Sequence, residues 1–160
     1  ACGHRPPPPD ATVWAWIVQL FRGLDSIHSN EPMVIHRDLK PANIMLTKGL
    51  NVLVICDFGA AKRISRQEKT NIQMNRLGNR MYMAPEVLAT AENATSHYDE
   101  KCDVWSAGLV SWRIASRQPI VRSPAQHGTI PELGKVRLAS LRPFLARCWS
   151  LSPADRPSAK

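Results

Sequence analysis

Two short apolar runs, Ile44-Met45-Leu46 and Val52-Leu53-Val54-Ile55, flank the connection Thr47-Lys48-Gly49-Leu50-Asn51, and no other stretch restricts the fold as tightly. β-Branched and apolar side chains favour a pleated backbone, and a glycine in a short reversal supplies positive φ without steric cost. The segment therefore reads as a β-hairpin. Its ends are polar: Asn43 precedes the first strand, and Asp57 follows the second with only Cys56 between. A rigid hairpin fixes those two side chains relative to each other.

Helical patterns surround the hairpin. Trp14, Ile17, Val18, Phe21, Leu24 and Ile27 recur at three- and four-residue steps, the stripe of an amphipathic helix that presents Gln19 and Arg22 elsewhere. Asp10 or Thr12 is expected to cap it, it should end near Ser29-Asn30, and Pro32 forces Met33-Val34-Ile35 into an extended lead. The run Pro6-Pro7-Pro8-Pro9 cannot enter a helix interior, so residues 1–9 read as a proline-rich lead-in and 10–160 as one domain. Residues 103–116 are apolar nearly all round, as in a helix buried through a core. Leu141, Phe144, Leu145, Cys148 and Trp149 give a final amphipathic helix with Pro143 in its first turn. The expected fold is mainly α with a short β-hairpin.

Composition narrows the function classes. With 44% hydrophobic and 21% charged residues, the chain is ordinary for a globular domain. It holds no apolar run of membrane-spanning length, and its start lacks a hydrophobic signal core, so a soluble cytoplasmic protein is expected. A net charge of +8 raises nucleic-acid binding. The distribution argues otherwise: Lys62, Arg63, Arg66, Lys69, Arg76 and Arg80 cluster with Glu68 the only acid and no aromatic residue among them to stack bases. Cys2, Cys56, Cys102 and Cys148 are widely spaced and form no C-x-x-C, which indicates reduced thiols, with Cys56 a small buried hydrophobe.

Three motifs name a chemistry. His36-Arg37-Asp38-Leu39-Lys40-Pro41-Ala42-Asn43 is followed by Asp57-Phe58-Gly59 and then by Ala84-Pro85-Glu86, and order and spacing together resemble the C-terminal lobe of a eukaryotic serine/threonine protein kinase. The resemblance implies that Asp38 accepts or orients the substrate hydroxyl proton, that Lys40 steadies the transferring phosphoryl group, and that Asn43 and Asp57 hold Mg²⁺ through oxygen. It implies ATP as cofactor, bound by Lys40, Asn43, Asp57 and Met45. Met45 would lie beneath the adenine ring, or alternatively pack in the core. Lys40 followed by Pro41 is the serine/threonine style of this loop.

Further expectations follow from the same likeness. His36 and Phe58 should stack in a hydrophobic column. Arg37 should receive a phosphate from the activation segment, where Ser65 and Thr70 are the hydroxyl residues. Asp103 should bond back to the catalytic-loop backbone, or else cap its helix, and Glu86 with Arg156 should form a buried ion pair. Asn79 departs from the pattern: related kinases place serine or threonine there, and that hydroxyl bridges the loop's lysine and aspartate. Substrate positioning and activation should both be altered. The segment 120–126 is too short for the usual docking helix.

The stretches Ile55-Cys56-Asp57-Phe58-Gly59, Tyr98-Asp99-Glu100-Lys101-Cys102-Asp103-Val104-Trp105 and Ala146-Arg147-Cys148-Trp149-Ser150 resemble the tyrosine-kinase-like group. Within it they look most like the mitogen-activated protein kinase kinase kinases activated by transforming growth factor β. Protein substrates, downstream kinases among them, and an activating adaptor are implied, with no nucleic acid and no membrane. The family's glycine-rich loop and strand lysine do not occur before Asp38, and the first lysine is Lys40. The N-terminal lobe is thus expected to be absent and these residues alone inactive. A non-catalytic, pseudokinase-like module that binds kinase adaptors or substrates is the alternative.

Overall fold

Helix α1 spans Asp10–His28 and packs against the hairpin that the sequence foretells. The computed structural model describes residues 7–49, 51–65, 79–92 and 99–159. Within them β1 (Met33–Ile35), β2 (Ile44–Leu46), β3 (Leu53–Ile55) and β4 (Lys62–Ile64) precede four further helices, α2 (Pro85–Glu92), α3 (Lys101–Ser116), α4 (Pro124–His127) and α5 (Arg142–Cys148). Strands β2 and β3 pair antiparallel with Ile44 opposite Ile55, and Gly49 in their connection has φ 94°. The fold class is the one expected. Cys2, Arg66, Lys69, Thr70, Arg76 and Tyr98 lie outside the described residues.

Three local expectations need correction. Helix α1 buries Val13, Trp16, Ile17, Leu20, Phe21 and Leu24, whereas Trp14 is 43% exposed and Val18 only half-buried. So many of its positions are apolar that periodicity alone does not centre the stripe; packing against α3 and the strands selects it. Pro9 occupies the capping position with no side-chain bond, and Asp10 sits instead in the first turn, where its charge favours the helix dipole. Cys56 lies just past β3 and is half-buried, not core. The structure also adds a second antiparallel pair, β1 with β4, which ties the segment after Gly59 back to the chain before His36.

Helix α3 is the axis of the lobe. All but three of its sixteen residues are buried, which explains why it lacks a polar face. Gly108 lets α5 approach: a Cβ there would stand 2.8 Å from both Cys148 Cβ and Trp149 Nε1. Both neighbours are buried and cannot retreat. Gly108→Ala is therefore expected to destabilise the fold by about 1–3 kcal/mol, the usual range for overpacking, as read from urea unfolding.

Candidate active site

The loop after β1 is held from below by one carboxylate. Asp103, 1% exposed in the first turn of α3, accepts the backbone N–H of His36 at 2.8 Å and of Arg37 at 2.9 Å. It also pairs with His28 Nε2 at 2.9 Å, and the helix cap falls at Glu100, so the alternative of Asp103 as a plain cap fails. Arg37 needs this support, because its φ of 66° is disfavoured for a side chain with a Cβ. His36 is fully buried; its Nε2 lies 3.0 Å from the Cys56 carbonyl and its ring centroid 5.0 Å from that of Phe58. The two rings meet as expected but are tilted by 60° rather than stacked, and Phe58 is 44% exposed.

Asp38, in this braced loop, gathers three donors. Lys40 Nζ reaches Oδ2 at 2.5 Å, Asn43 Nδ2 reaches the same oxygen at 3.1 Å, and the Asn79 backbone N–H reaches Oδ1 at 3.1 Å. Asn43 also donates to the Asp38 carbonyl at 2.8 Å, and a single 3₁₀ turn over Pro41–Asn43 delivers it. Partial burial pushes the Asp38 carboxyl upward, but the bonds from Lys40, Asn79 and Asn43 and the lysine's charge outweigh it and hold the group below its ordinary 3.8. A depressed carboxyl stabilises the fold above 3.8 and loses that contribution as pH falls through the lower folded value. The stability difference between the wild type and Asp38→Asn should thus be constant at neutral pH and shrink below 3.8, as measured by denaturant unfolding across pH.

The hairpin then carries Asp57 into place. Cys56 N–H bonds the Asn43 carbonyl at 2.8 Å, extending the ladder by one step beyond Ile44 and Ile55. Asp57 is exposed and left-handed at φ 63°, with Oδ1 accepting from Gly59 N–H at 3.3 Å. With Asn43 Nδ2 committed to Asp38, its amide oxygen and the Asp57 carboxylate are two oxygen donors on strand ends joined by that ladder bond, and oxygen is the donor type that suits a hard divalent cation. Met45 is 59% exposed and lies opposite Val54, 41% exposed, on one outward face of the hairpin. The core-packing alternative for Met45 is thereby overturned.

Two supports escaped the sequence reading. Gln19, read as outward-facing, donates to the Asn51 carbonyl at 3.1 Å and accepts from Leu53 N–H at 2.7 Å, clamping the hairpin to α1. His28 sits one turn past Leu24 on the buried stripe, and a polar residue on such a line was the available signal of a buried partner. Behind the site, Arg156 and Glu86 form the expected bidentate pair at 2.6 and 2.8 Å. Arg37 Nε donates to the Ala60 carbonyl.

The family model described as protein kinase domain matches residues 7–160. Mitogen-activated protein kinase kinase kinase 7 of Homo sapiens is 38% identical over 92% of this chain and 25% of its own length. The protein of that name in Drosophila melanogaster is 35% identical over 92% of the chain and 22% of its own length. Dual specificity protein kinase shkC of Dictyostelium discoideum is 32% identical over 86% and 28%. The chain thus spans about a quarter of the length of these relatives. Among the described residues no helix is long and apolar enough to cross a membrane.

Proposed function

The chain belongs to the protein kinase family, and from that premise we propose that it supplies the catalytic loop and metal-holding residues of a cytoplasmic serine/threonine kinase of the mitogen-activated protein kinase kinase kinase type. The observation that carries the reading is the Asp38 carboxylate, held by Lys40, Asn43 and Asn79 and kept ionised at neutral pH. A carboxylate offers about four acceptor positions, and the described residues fill three, so a substrate hydroxyl is proposed to take the fourth. Asp38 aligns that hydroxyl and takes its proton; Lys40 places positive charge beside the migrating phosphoryl group.

Asn43 and Asp57 would hold Mg²⁺, which neutralises charge on the nucleotide phosphates. Met45 and Val54 offer an apolar floor for adenine. Ser65 and Thr70 are the proposed phosphate acceptors that Arg37 would meet. Downstream kinases are the proposed protein substrates, and an adaptor the proposed activator. Residues 1–160 contain no G-x-G-x-x-G, so by themselves they are proposed to transfer little phosphate for want of a cover over the nucleotide.

The test is transfer from ATP by the full-length gene product to a dephosphorylated mitogen-activated protein kinase kinase. Serine or threonine labelling that chelation of Mg²⁺ abolishes supports the reading. Stable capture of that kinase without any transfer favours the non-catalytic module instead.

A further inference from the structure

Asn79 stands where the resemblance expects a hydroxyl, yet Asp38 does not lack a donor. The Asn79 side chain turns away: its Oδ1 accepts the Met81 backbone N–H at 3.1 Å, closing an Asx turn, while the Asn79 carbonyl accepts from Tyr82 N–H at 3.0 Å. This double closure aims the Asn79 backbone N–H outward, and it meets Asp38 Oδ1 at 3.1 Å. The turn is anchored at its far end. Tyr82 is 6% exposed, and its carbonyl accepts from the Ser106 hydroxyl of α3 at 2.8 Å. Helix α3 also carries Asp103, which holds the catalytic loop, so one helix braces both sides of the contact.

We propose that Asn79 is a positioning residue, whose Asx turn presents its backbone N–H to Asp38 and so replaces the donor that a hydroxyl provides in related kinases. Lys40 then bonds Asp38 directly. Among the described residues the carboxylate keeps three donors, so the asparagine preserves substrate alignment where sequence comparison alone expects its loss. The proposal rests on the kinase reading above.

The test compares wild type with Asn79→Ala, which cannot close the turn, and Asn79→Asp, which keeps an oxygen for the Met81 N–H without supplying a hydroxyl. In the full-length gene product, Asn79→Ala should lower kcat for a serine peptide by about tenfold with KM for ATP unchanged, the fold-change of losing one hydrogen bond to a charged group. Asn79→Asp should recover most of that rate. In the 160-residue chain, which needs no catalysis for this readout, amide exchange at residue 79 should be slow in the wild type and about tenfold faster in Asn79→Ala, by the same reasoning. Wild-type kcat together with wild-type exchange in Asn79→Ala overturns the proposal. No transfer by the wild type, whatever the exchange pattern, overturns the kinase reading and the proposal with it.

Discussion

Arg156→Ala is expected to lower stability by about 3–5 kcal/mol, the usual result of removing one partner of a buried ion pair. Arg156 is 2% exposed and donates four hydrogen bonds: two nitrogens grip the Glu86 carboxylate, Nε donates to the Ser150 carbonyl at 2.9 Å, and Nη1 also reaches the Lys101 carbonyl at 3.1 Å. Its guanidinium lies 5.1 Å from the centroid of the Trp105 ring. Alanine would take the bidentate partner from the Glu86 carboxylate and the donor from two carbonyls together. Against a typical total of about 5–15 kcal/mol, the loss leaves a marginal or unfolded chain at 37 °C. Arg156→Lys should recover only part of it, since an ammonium cannot reproduce the planar fork. Urea unfolding of the three proteins measures this, and a loss under about 1 kcal/mol would refute the anchoring role.

Asp38→Asn should depress phosphoryl transfer by about 10²–10⁴-fold, the range that a positioned acid or base commonly contributes. The substitution keeps shape, but an amide has one acceptor oxygen where the carboxylate accepts on two, cannot take a proton and carries no charge for Lys40 to meet. Folding should survive at a modest cost in stability, because Asp103 still holds the loop from beneath although the Asp38 side chain is itself mostly buried. A variant that loses transfer yet still unfolds cooperatively, at a urea concentration only modestly below that of the wild type, separates chemistry from structure. Transfer within threefold of wild type would remove Asp38 from the mechanism.

The hairpin was legible because its strands, its glycine and its polar ends are all local, and local signals survive in one dimension. Helix α3 was legible for a related reason: a helix apolar all round has only one place to go. The pairing of β1 with β4 was not, since Met33 meets Ile64 across most of the hairpin and loop, and nothing in Met33-Val34-Ile35 specifies a partner. Helix α1 failed in a third way. Its apolar positions outnumber one face, so tertiary packing, not periodicity, decided that Trp14 faces out and Trp16 in.

The candidate site divides along the same line. Asp38, Asn43 and Asp57 could be named from motifs, and the ladder bond from Cys56 to Asn43 accounts for their common edge. The supports could not be named, because Gln19 and His28 act through backbone amides and a buried carboxylate that lie far away in sequence. Asn79 is the sharpest case. Side-chain comparison reads a lost hydroxyl, whereas the bond to Asp38 comes from the main chain, to which residue identity contributes only by closing the turn.

The central claim is that Asn43 and Asp57 serve one magnesium–nucleotide complex, and calorimetric titration of the full-length gene product with ATP tests it most directly. The account predicts heat of binding with Mg²⁺ present, little with the metal chelated, and little in Asp57→Asn under either condition. Equal ATP affinity in Asp57→Asn and wild type, or binding indifferent to Mg²⁺, would contradict it.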